Sequence, residues 1–185
     1  MQDEEEDLSR LKQLIRDRAV KVRESGFVLA SGRRSNLYVD LRKVTQDPAG
    51  INLIGRLVLS RIREVSPESE YVGGLETASI PIATAVSLLS ASSSKPLSAF
   101  WVRKKPKDHG LENRIEGNLL KGASVVIVDD TVTTGVSSLQ AVEAVREAGA
   151  KISYAIAVVD RGAETNFKNA GIPFTYLFSE ADIAK

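Results

Sequence analysis

Helical spacing of apolar residues dominates the first part of the chain. Five of them recur three or four positions apart: Leu8, Leu11, Ile15, Ala19 and Val22. This spacing predicts an amphipathic helix over residues 7–24. Asp47 and Pro48 are typical of an N-cap and a first helical residue, so a second helix is predicted directly after them. Short extended segments are expected between the two helices, at residues 27–29 and 37–41.

From residue 71 onward, short apolar runs alternate with helical patterns. The runs predict five strands, over residues 71–75, 97–102, 124–128, 152–159 and 173–178. Helices are predicted over residues 80–89 and 137–148, with Gly149 ending the second. This alternation is typical of βαβ units, so we expect an α/β fold, a mostly parallel sheet with helices on both faces. The length of 185 residues favours one domain spanning residues 1–185.

Composition and charge exclude several kinds of site and partner. The chain has no cysteine, which rules out disulfides, thiolate metal sites and a cysteine nucleophile. Its net charge of +1 predicts no nucleic-acid partner and no binding to anionic membranes. No apolar run approaches the roughly 20 residues that span a bilayer. The acidic residues 1–7 do not have the pattern of a signal peptide, so a cytoplasmic location is expected.

The segment from Asp129 to Ser138 carries the most informative chemistry. A predicted buried strand ends in two adjacent acids, and a turn rich in threonine, glycine and serine then opens a helix. Backbone N–H groups at a helix start suit a phosphate, and the hydroxyls of Thr133, Thr134, Ser137 and Ser138 would add donors. The acids would repel a phosphate, so their natural partners are ribose hydroxyls or hydrated Mg²⁺. The residues alone favour a ribose-phosphate site, while a capped helix beside two solvated acids stays open.

Residues 125–135 resemble a known motif. They read Val-Val-Ile-Val-Asp-Asp-Thr-Val-Thr-Thr-Gly, which is similar to the phosphoribosyl pyrophosphate (PRPP) motif of type I phosphoribosyltransferases. The resemblance implies that family's fold, with residues 1–45 contributing a helix and a small N-terminal hood over the base. It implies that Asp129 and Asp130 hold the ribose hydroxyls and bind Mg²⁺ through ribose or water. It also implies a 5′-phosphate loop with these members: Thr131, Val132, Thr133, Thr134, Gly135, Val136 and Ser137.

Two further features are similar to the orotate branch of that family. Residues 31–42 resemble its segment Ser-Gly-x-x-Ser-x-x-Tyr, which implies that backbone groups near Tyr38 and Val39 meet the orotate ring. By itself this segment reads as a β-hairpin with a basic turn. Ala30 stands where the family often has lysine, so one expected cation is missing. Arg161 matches a family arginine that contacts orotate, and its planar guanidinium suits a carboxylate.

Residues 103–110, which read Arg-Lys-Lys-Pro-Lys-Asp-His-Gly, resemble the catalytic loop of the orotate enzymes. The resemblance implies that four side chains stabilise the charge of departing pyrophosphate, partly across the interface of a homodimer. These side chains are Arg103, Lys104, Lys107 and His109. A basic run without such a resemblance is more often a solvated loop.

Residues 73–81 occupy the place of the family's pyrophosphate loop. Glycines and a helix start make this segment a candidate anion cradle, although a glycine turn before a capped helix fits equally well. Thr77 and Ala78 are the expected substrate contacts. Ala78 stands where some orotate enzymes carry lysine, which is a second missing cation.

These resemblances predict an enzyme that transfers the phosphoribosyl group of PRPP to orotate, giving orotidine 5′-phosphate and pyrophosphate with Mg²⁺. Such an enzyme acts in pyrimidine biosynthesis and is expected to be a homodimer whose small-molecule substrates are orotate and PRPP. Two alternatives stay open: a phosphoribosyltransferase for another base, and a non-catalytic regulator that senses PRPP.

Overall fold

The computed structural model describes residues 2–28, 34–105 and 114–184. In chain order the described elements are α1 Gln2–Arg18, β1 Val20–Val28, β2 Arg34–Val39, α2 Arg42–Thr45, α3 Pro48–Val65, β3 Tyr71–Leu75, α4 Ser79–Ser90, β4 Ser98–Val102, β5 Ile115–Glu116, β6 Ser124–Val132, α5 Val136–Glu147, β7 Lys151–Asp160, α6 Glu164–Asn169, β8 Phe174–Ser179 and α7 Glu180–Ile183.

The main sheet has six strands in the order β5-β4-β3-β6-β7-β8. All neighbouring pairs are parallel except the pair of β4 with the two-residue strand β5. The predicted mostly parallel sheet is therefore confirmed. The carboxyl ends of β3, β4, β6 and β7 meet at one edge, where ligands bind in sheets of this kind. A separate antiparallel pair, β1 with β2, forms a hairpin outside this sheet.

Helices cover both faces of the main sheet, as predicted. Alternate residues of β6 point to opposite faces, because side chains along a strand alternate in direction. Val126 and Val128 pack into a core with α1, α3 and α4. Val125 and Ile127 pack into a second core with α5 and with Phe167 of α6. This central strand is buried from both sides, which fixes the position of whatever follows it at the binding edge.

The first helix differs from its prediction. It starts at Gln2, where acidic residues in the first turn favour a helix N-terminus, and it ends at Arg18 instead of residue 24. Strand β1 begins at Val20, and Val22 is 60% exposed. The predicted boundary was wrong because residues 19, 20 and 22 fit a helix and a strand equally well. Pairing of β1 with β2 selected the strand.

Other boundaries affect the candidate site more directly. Asp47 caps α3 as predicted, accepting the N–H groups of Ala49 (3.1 Å) and Gly50 (2.9 Å). Strand β6 runs to Val132, four residues beyond the prediction, and pairs there with the end of β7. Asp129 and Asp130 therefore lie within the strand rather than at its end. Their backbone geometry is set by the sheet.

Candidate active site

The binding edge of the sheet contains a cavity of about 590 Å³. Segments after β3, β4 and β6 meet there with the α2 region. The cavity is lined by Arg42, Thr45, Gln46, Leu75, Glu76, Thr77, Ala78, Ile80, Pro81, Lys104, Asp129, Asp130, Thr131 and Ser137. Seven of these were predicted as site residues: Thr77, Ala78, Lys104, Asp129, Asp130, Thr131 and Ser137. The fold thus brings together residues from three separate predicted segments.

The two acids of β6 have different hydrogen-bond partners. Asp129 is buried, and both of its carboxylate oxygens are engaged: Oδ1 accepts the N–H of Asp130 (2.9 Å) and Oδ2 accepts the hydroxyl of Ser138 (2.7 Å). Asp130 is half-buried, and its Oδ1 accepts the N–H of Thr131. In the described part of the chain, Oδ2 of Asp130 has no hydrogen-bond partner. Asp130 therefore has more capacity to bind a ligand.

Burial and neighbouring negative charge perturb the ionisation of both acids: the charge of Asp130 acts on Asp129, and the charge of Asp40 acts on Asp130. Burial, followed by the charge of Asp130, raises the pKa of Asp129 to about 7, although the Ser138 hydroxyl lowers it. Burial also raises the pKa of Asp130, and the N–H of Thr131 and the charge of Arg42 oppose that rise. Hydroxyl donors or a cation would relieve this repulsion.

Carboxylate oxygens are ligands that Mg²⁺ accepts. Among the described residues, no group of three or more histidine, aspartate or glutamate side chains forms a complete metal site. Oδ2 of Asp130 is the free carboxylate oxygen of this pair, and it could hold a Mg²⁺ ion whose remaining ligands come from water or substrate.

The loop after β6 has the features of an anion site. It lines a cavity of about 400 Å³ together with Asp129, through residues 131–138. Gly135 is the N-cap of α5 and has φ 77°, a conformation that favours glycine. The first backbone N–H groups of a helix have no partners within that helix. No side chain caps α5, so these N–H groups also have no side-chain cap. This cavity is lined by the residues predicted to form the phosphate loop, which are Thr131, Val132, Thr133, Thr134, Gly135, Val136 and Ser137.

Ser138 does not have the expected role. Its hydroxyl was predicted to be a phosphate donor, but the residue is 2% exposed and donates to Asp129. The prediction was wrong because the buried carboxylate is the nearer acceptor. Ser138 instead connects α5 to β6 and orients Asp129. Asn166 of α6 supports the same loop by donating to the carbonyl oxygen of Thr134 (2.7 Å).

The predicted catalytic loop is described only at its two ends. Lys104 lines the main cavity, and its backbone N–H donates to Oε1 of Glu76 (2.8 Å). Arg103 does not line the cavity; its N–H donates to the carbonyl of Arg114 (2.7 Å), and its guanidinium lies 3.5 Å from a carboxylate oxygen of Glu116. The predicted residues Lys107 and His109 lie outside the described residues.

The predicted pyrophosphate segment forms part of the wall of the main cavity. Thr77 and Ala78 both line it, and α4 starts at Ser79 as expected. The Ser79 hydroxyl is buried and donates to the carbonyl of Leu75 (2.9 Å). The peptide between Glu76 and Thr77 is cis. Ala78 contributes no charge to this wall.

The predicted orotate contacts lie apart from the main cavity. Arg161 follows β7, and its side chain is only 4% exposed. Its Nε and Nη2 donate to both carboxylate oxygens of Glu180 (3.1 and 3.0 Å), and Nη2 also donates to the Ser35 hydroxyl (3.1 Å) and the Leu37 carbonyl (3.0 Å). One guanidinium thus joins the hairpin, the end of β7 and the start of α7.

The hairpin itself presents an aromatic surface. The ring centroids of Tyr38 and Phe27 are 5.4 Å apart, and the guanidinium of Arg23 lies 4.8 Å from the Phe27 centroid. Tyr38 is partly exposed, while the half-buried Val39 packs against the core. The described residues of the segment 31–42 do not form a hairpin by themselves; they supply β2, which pairs with β1, and Ala30 lies outside the described residues.

Sequence reasoning missed several residues of this region. Arg42, Thr45 and Gln46 line the main cavity, and Glu180 pairs with Arg161. Helix α2 has four residues, too few to show a helical period. The only available signal was the Asp40-x-Arg42 spacing, which places opposite charges two residues apart.

Comparison with known proteins gives consistent results. Residues 41–176 match the family model of the phosphoribosyl transferase domain. An orotate phosphoribosyltransferase of Aquifex aeolicus (strain VF5) is 42% identical over 177 residues, which cover 94% of this chain and 96% of that protein.

Solved structures of similar proteins agree. Orotate phosphoribosyltransferase of Mycobacterium tuberculosis H37Rv in complex with Fe(III) dicitrate has a TM-score of 0.79 and 36% identity, covering 97% of this chain and 99% of that one. In its structure with PRPP the TM-score is 0.77 at 31% identity, covering 96% and 92% of the two chains. In the part of this chain that the structure describes, no helix is long and apolar enough to cross a membrane.

Proposed function

The chain belongs to the phosphoribosyltransferase family, and from that premise we propose that it transfers the phosphoribosyl group of PRPP to orotate. The products are orotidine 5′-phosphate and pyrophosphate, which places the reaction in pyrimidine biosynthesis. One observation carries the proposal: the buried Asp129 and the half-buried Asp130 lie directly beside an uncapped helix start that suits a phosphate. Similarity to orotate phosphoribosyltransferases over nearly the whole chain favours orotate over another base.

The phosphoribosyl group would bind along the end of β6. The 5′-phosphate would accept hydrogen bonds from backbone N–H groups of residues 132–137 and from the loop hydroxyls. The ribose hydroxyls donate to Asp130, which has a free carboxylate oxygen, and to Asp129. Each hydrogen bond to a charged group contributes roughly 1.5–3 kcal/mol, so these donors hold the substrate more strongly than the α5 dipole does.

The reaction exchanges one bond at C1′ of the ribose. N1 of orotate first gives its proton to solvent and then attacks C1′ while the bond from C1′ to the pyrophosphate oxygen breaks, and that electron pair leaves with pyrophosphate. Because orotate is an anionic nucleophile once N1 is deprotonated, no strong general base is required during the attack. Positive charge develops on the ribose ring, and the carboxylates of Asp129 and Asp130 would stabilise it. Positioning and charge stabilisation therefore supply most of the catalysis.

Cations would stabilise the departing pyrophosphate. Lys104 lines the main cavity beside Thr77 and Ala78, which supports a role at this group. Arg103, Lys107 and His109 complete the proposed set, with the loop shared across a homodimer interface. Mg²⁺, held by Asp129 and Asp130 through ribose or water, would neutralise part of the phosphate charge when bound.

Orotate would lie towards the hairpin. Backbone groups near Tyr38 and Val39 are the proposed contacts for its ring, and Arg161 is the proposed contact for its carboxylate. Arg161 is already anchored by Glu180 and the hairpin, which supports a preset orientation.

The test is a substrate panel. The protein is incubated with Mg²⁺, PRPP and either orotate, adenine or hypoxanthine, and pyrophosphate release is measured. Of the three bases, we expect only orotate to give pyrophosphate release. Pyrophosphate release with adenine and none with orotate would overturn orotate as the substrate. No release with any base would favour the alternative of a non-catalytic regulator that senses PRPP.

A further inference from the structure

The charges that line the main cavity are unbalanced for a polyanionic ligand. In the part of the chain that the structure describes, the lining has three acids, Glu76, Asp129 and Asp130, and two cations, Arg42 and Lys104. A pyrophosphate group entering this cavity would meet repulsion from the acids, so each cation on the wall matters. Lys104 follows β4 and belongs to the predicted catalytic segment. Arg42 has no role assigned to it so far.

Arg42 is held in a fixed orientation by a neighbouring acid. Its Nε donates to Oδ1 of Asp40 (2.7 Å) and its Nη2 donates to Oδ2 (3.1 Å), which is a two-point contact along one edge of the guanidinium. Asp40 is itself anchored, because its backbone N–H donates to the carbonyl of Ala19 (2.9 Å). Among the described residues, Nη1 of Arg42 has no hydrogen-bond partner.

The exposure of this pair argues against a purely structural role. The Arg42 side chain is 66% exposed, and exposed ion pairs contribute little to stability. The pair does determine where the remaining N–H groups of the guanidinium lie, at the rim of a cavity that also contains Thr77 and Ala78. A planar guanidinium with a free edge is well suited to phosphate oxygens.

We propose that Arg42 binds the pyrophosphate group, both in PRPP and as the product, and that Asp40 is the positioning residue that orients it. This inference rests on the proposed function and adds a binding residue to it. Pyrophosphate is the favoured ligand over orotate because Arg42 lines the same cavity as Thr77, Ala78 and Lys104. The proposed orotate contacts, Tyr38, Val39 and Arg161, do not line that cavity.

Direct binding tests the inference without relying on turnover. Inorganic pyrophosphate with Mg²⁺ is titrated calorimetrically into the wild-type protein, Arg42→Gln, Arg42→Lys and Asp40→Asn. Loss of one hydrogen-bonded charge should weaken binding about tenfold or more in Arg42→Gln. Arg42→Lys and Asp40→Asn should show smaller losses, because one retains the charge and the other retains the guanidinium.

Lys43→Gln is the matched control, since Lys43 is an exposed cation next in the chain that does not line the cavity. It should bind pyrophosphate as the wild type does. Equal affinities for Arg42→Gln and Lys43→Gln would overturn the inference, as would a wild-type protein that binds no pyrophosphate. Unchanged thermal unfolding of Arg42→Gln would show that any loss of binding is not caused by misfolding.

Steady-state kinetics separates this inference from the proposed function. Arg42→Gln should raise KM for PRPP and leave KM for orotate unchanged. A rise in KM for orotate alone would overturn the assignment to pyrophosphate. If the wild type shows no turnover with orotate but binds pyrophosphate in an Arg42-dependent way, the proposed function fails and the binding role of Arg42 stands.

Discussion

The two halves of the proposed substrate site are built in opposite ways. The phosphoribosyl half lies on the central strand β6 and the start of α5, and its key contact joins Ser138 to Asp129, nine residues away. The orotate half depends on Arg161, whose contacts reach Ser35 and Glu180, separated from it by 126 and 19 residues. The key contact of the first half is local in sequence and lies on a strand between two hydrophobic cores, whereas the contacts of the second join distant segments at the sheet margin. Substitutions in the first half should therefore change the kinetic constants for PRPP, and substitutions in the second half should change those for orotate.

Removal of both strand acids should have the largest effect. In Asp129→Asn with Asp130→Asn, the ribose hydroxyls lose both anionic acceptors and the developing positive charge loses its stabilisation. Pyrophosphate release should fall at least about a hundredfold. The fold should persist, because two repelling charges are removed from a buried place. Glu143→Gln, an exposed acid on α5, is the control, and a double variant within tenfold of wild-type turnover would contradict the assignment.

The raised pKa of Asp129 should make stability depend on pH in a defined direction. Its ordinary value is 3.8 and its value in the folded protein is about 7, so the folded state holds this proton over that interval. The stability that the folded protein gains from holding Asp129 in its neutral form is present below about pH 4 and is lost as pH rises to about 7. The free energy of unfolding of the wild type, relative to Asp129→Asn, should fall by at most about 1.4 kcal/mol per pH unit in this range.

Chemical denaturation at several pH values measures this difference. Ser90→Ala, a buried serine of α4 distant in sequence from the acids, should show no such slope against the wild type. A difference between wild type and Asp129→Asn that does not change from pH 4 to pH 8 would contradict the perturbed ionisation.

Gly135→Ala should weaken the phosphoribosyl half and the fold together. The positive φ of 77° costs about 1–2 kcal/mol for an alanine, and its Cβ would lie 3.3 Å from the Phe167 ring. We expect a loss of about 2 kcal/mol in unfolding free energy and a higher KM for PRPP. Gly122→Ala is the matched control, because Gly122 also has positive φ but has no atom within 4 Å of the added Cβ. Equal losses in both variants would mean that crowding at the loop is negligible.

Glu180→Gln should affect the orotate half alone and by the smallest amount. It leaves the Arg161 guanidinium nearly buried without its charge partner, although Glu180 itself is partly exposed. We expect about 1 kcal/mol of lost stability and a KM for orotate raised roughly fivefold, with KM for PRPP unchanged. Glu164→Gln, an exposed acid on α6, should change neither constant. A rise confined to PRPP would show that the two halves are not separable in this way.

The same contrast explains what the sequence could predict. The acids, Gly135 and the helix start were found because they lie within one short segment with a strict pattern. Arg42 and Glu180 were missed because their importance depends on segments that meet only in the folded chain. Ser138 was assigned the wrong acceptor, since sequence spacing gives no direction for a hydroxyl. The first helix was extended too far because apolar residues 19–22 suit two kinds of element.

The bridge made by Arg161 has a consequence for the order of folding. Residues 34–37 are synthesised long before residues 161 and 180, so the hairpin waits for about two thirds of the chain before this anchor exists. Contacts of such long separation close large loops and form late. The contact between Ser138 and Asp129 spans only nine residues, although β6 itself pairs with the distant strands β3 and β7. The anchor of the part proposed to recognise the base therefore forms only after the chain has been synthesised as far as residue 180.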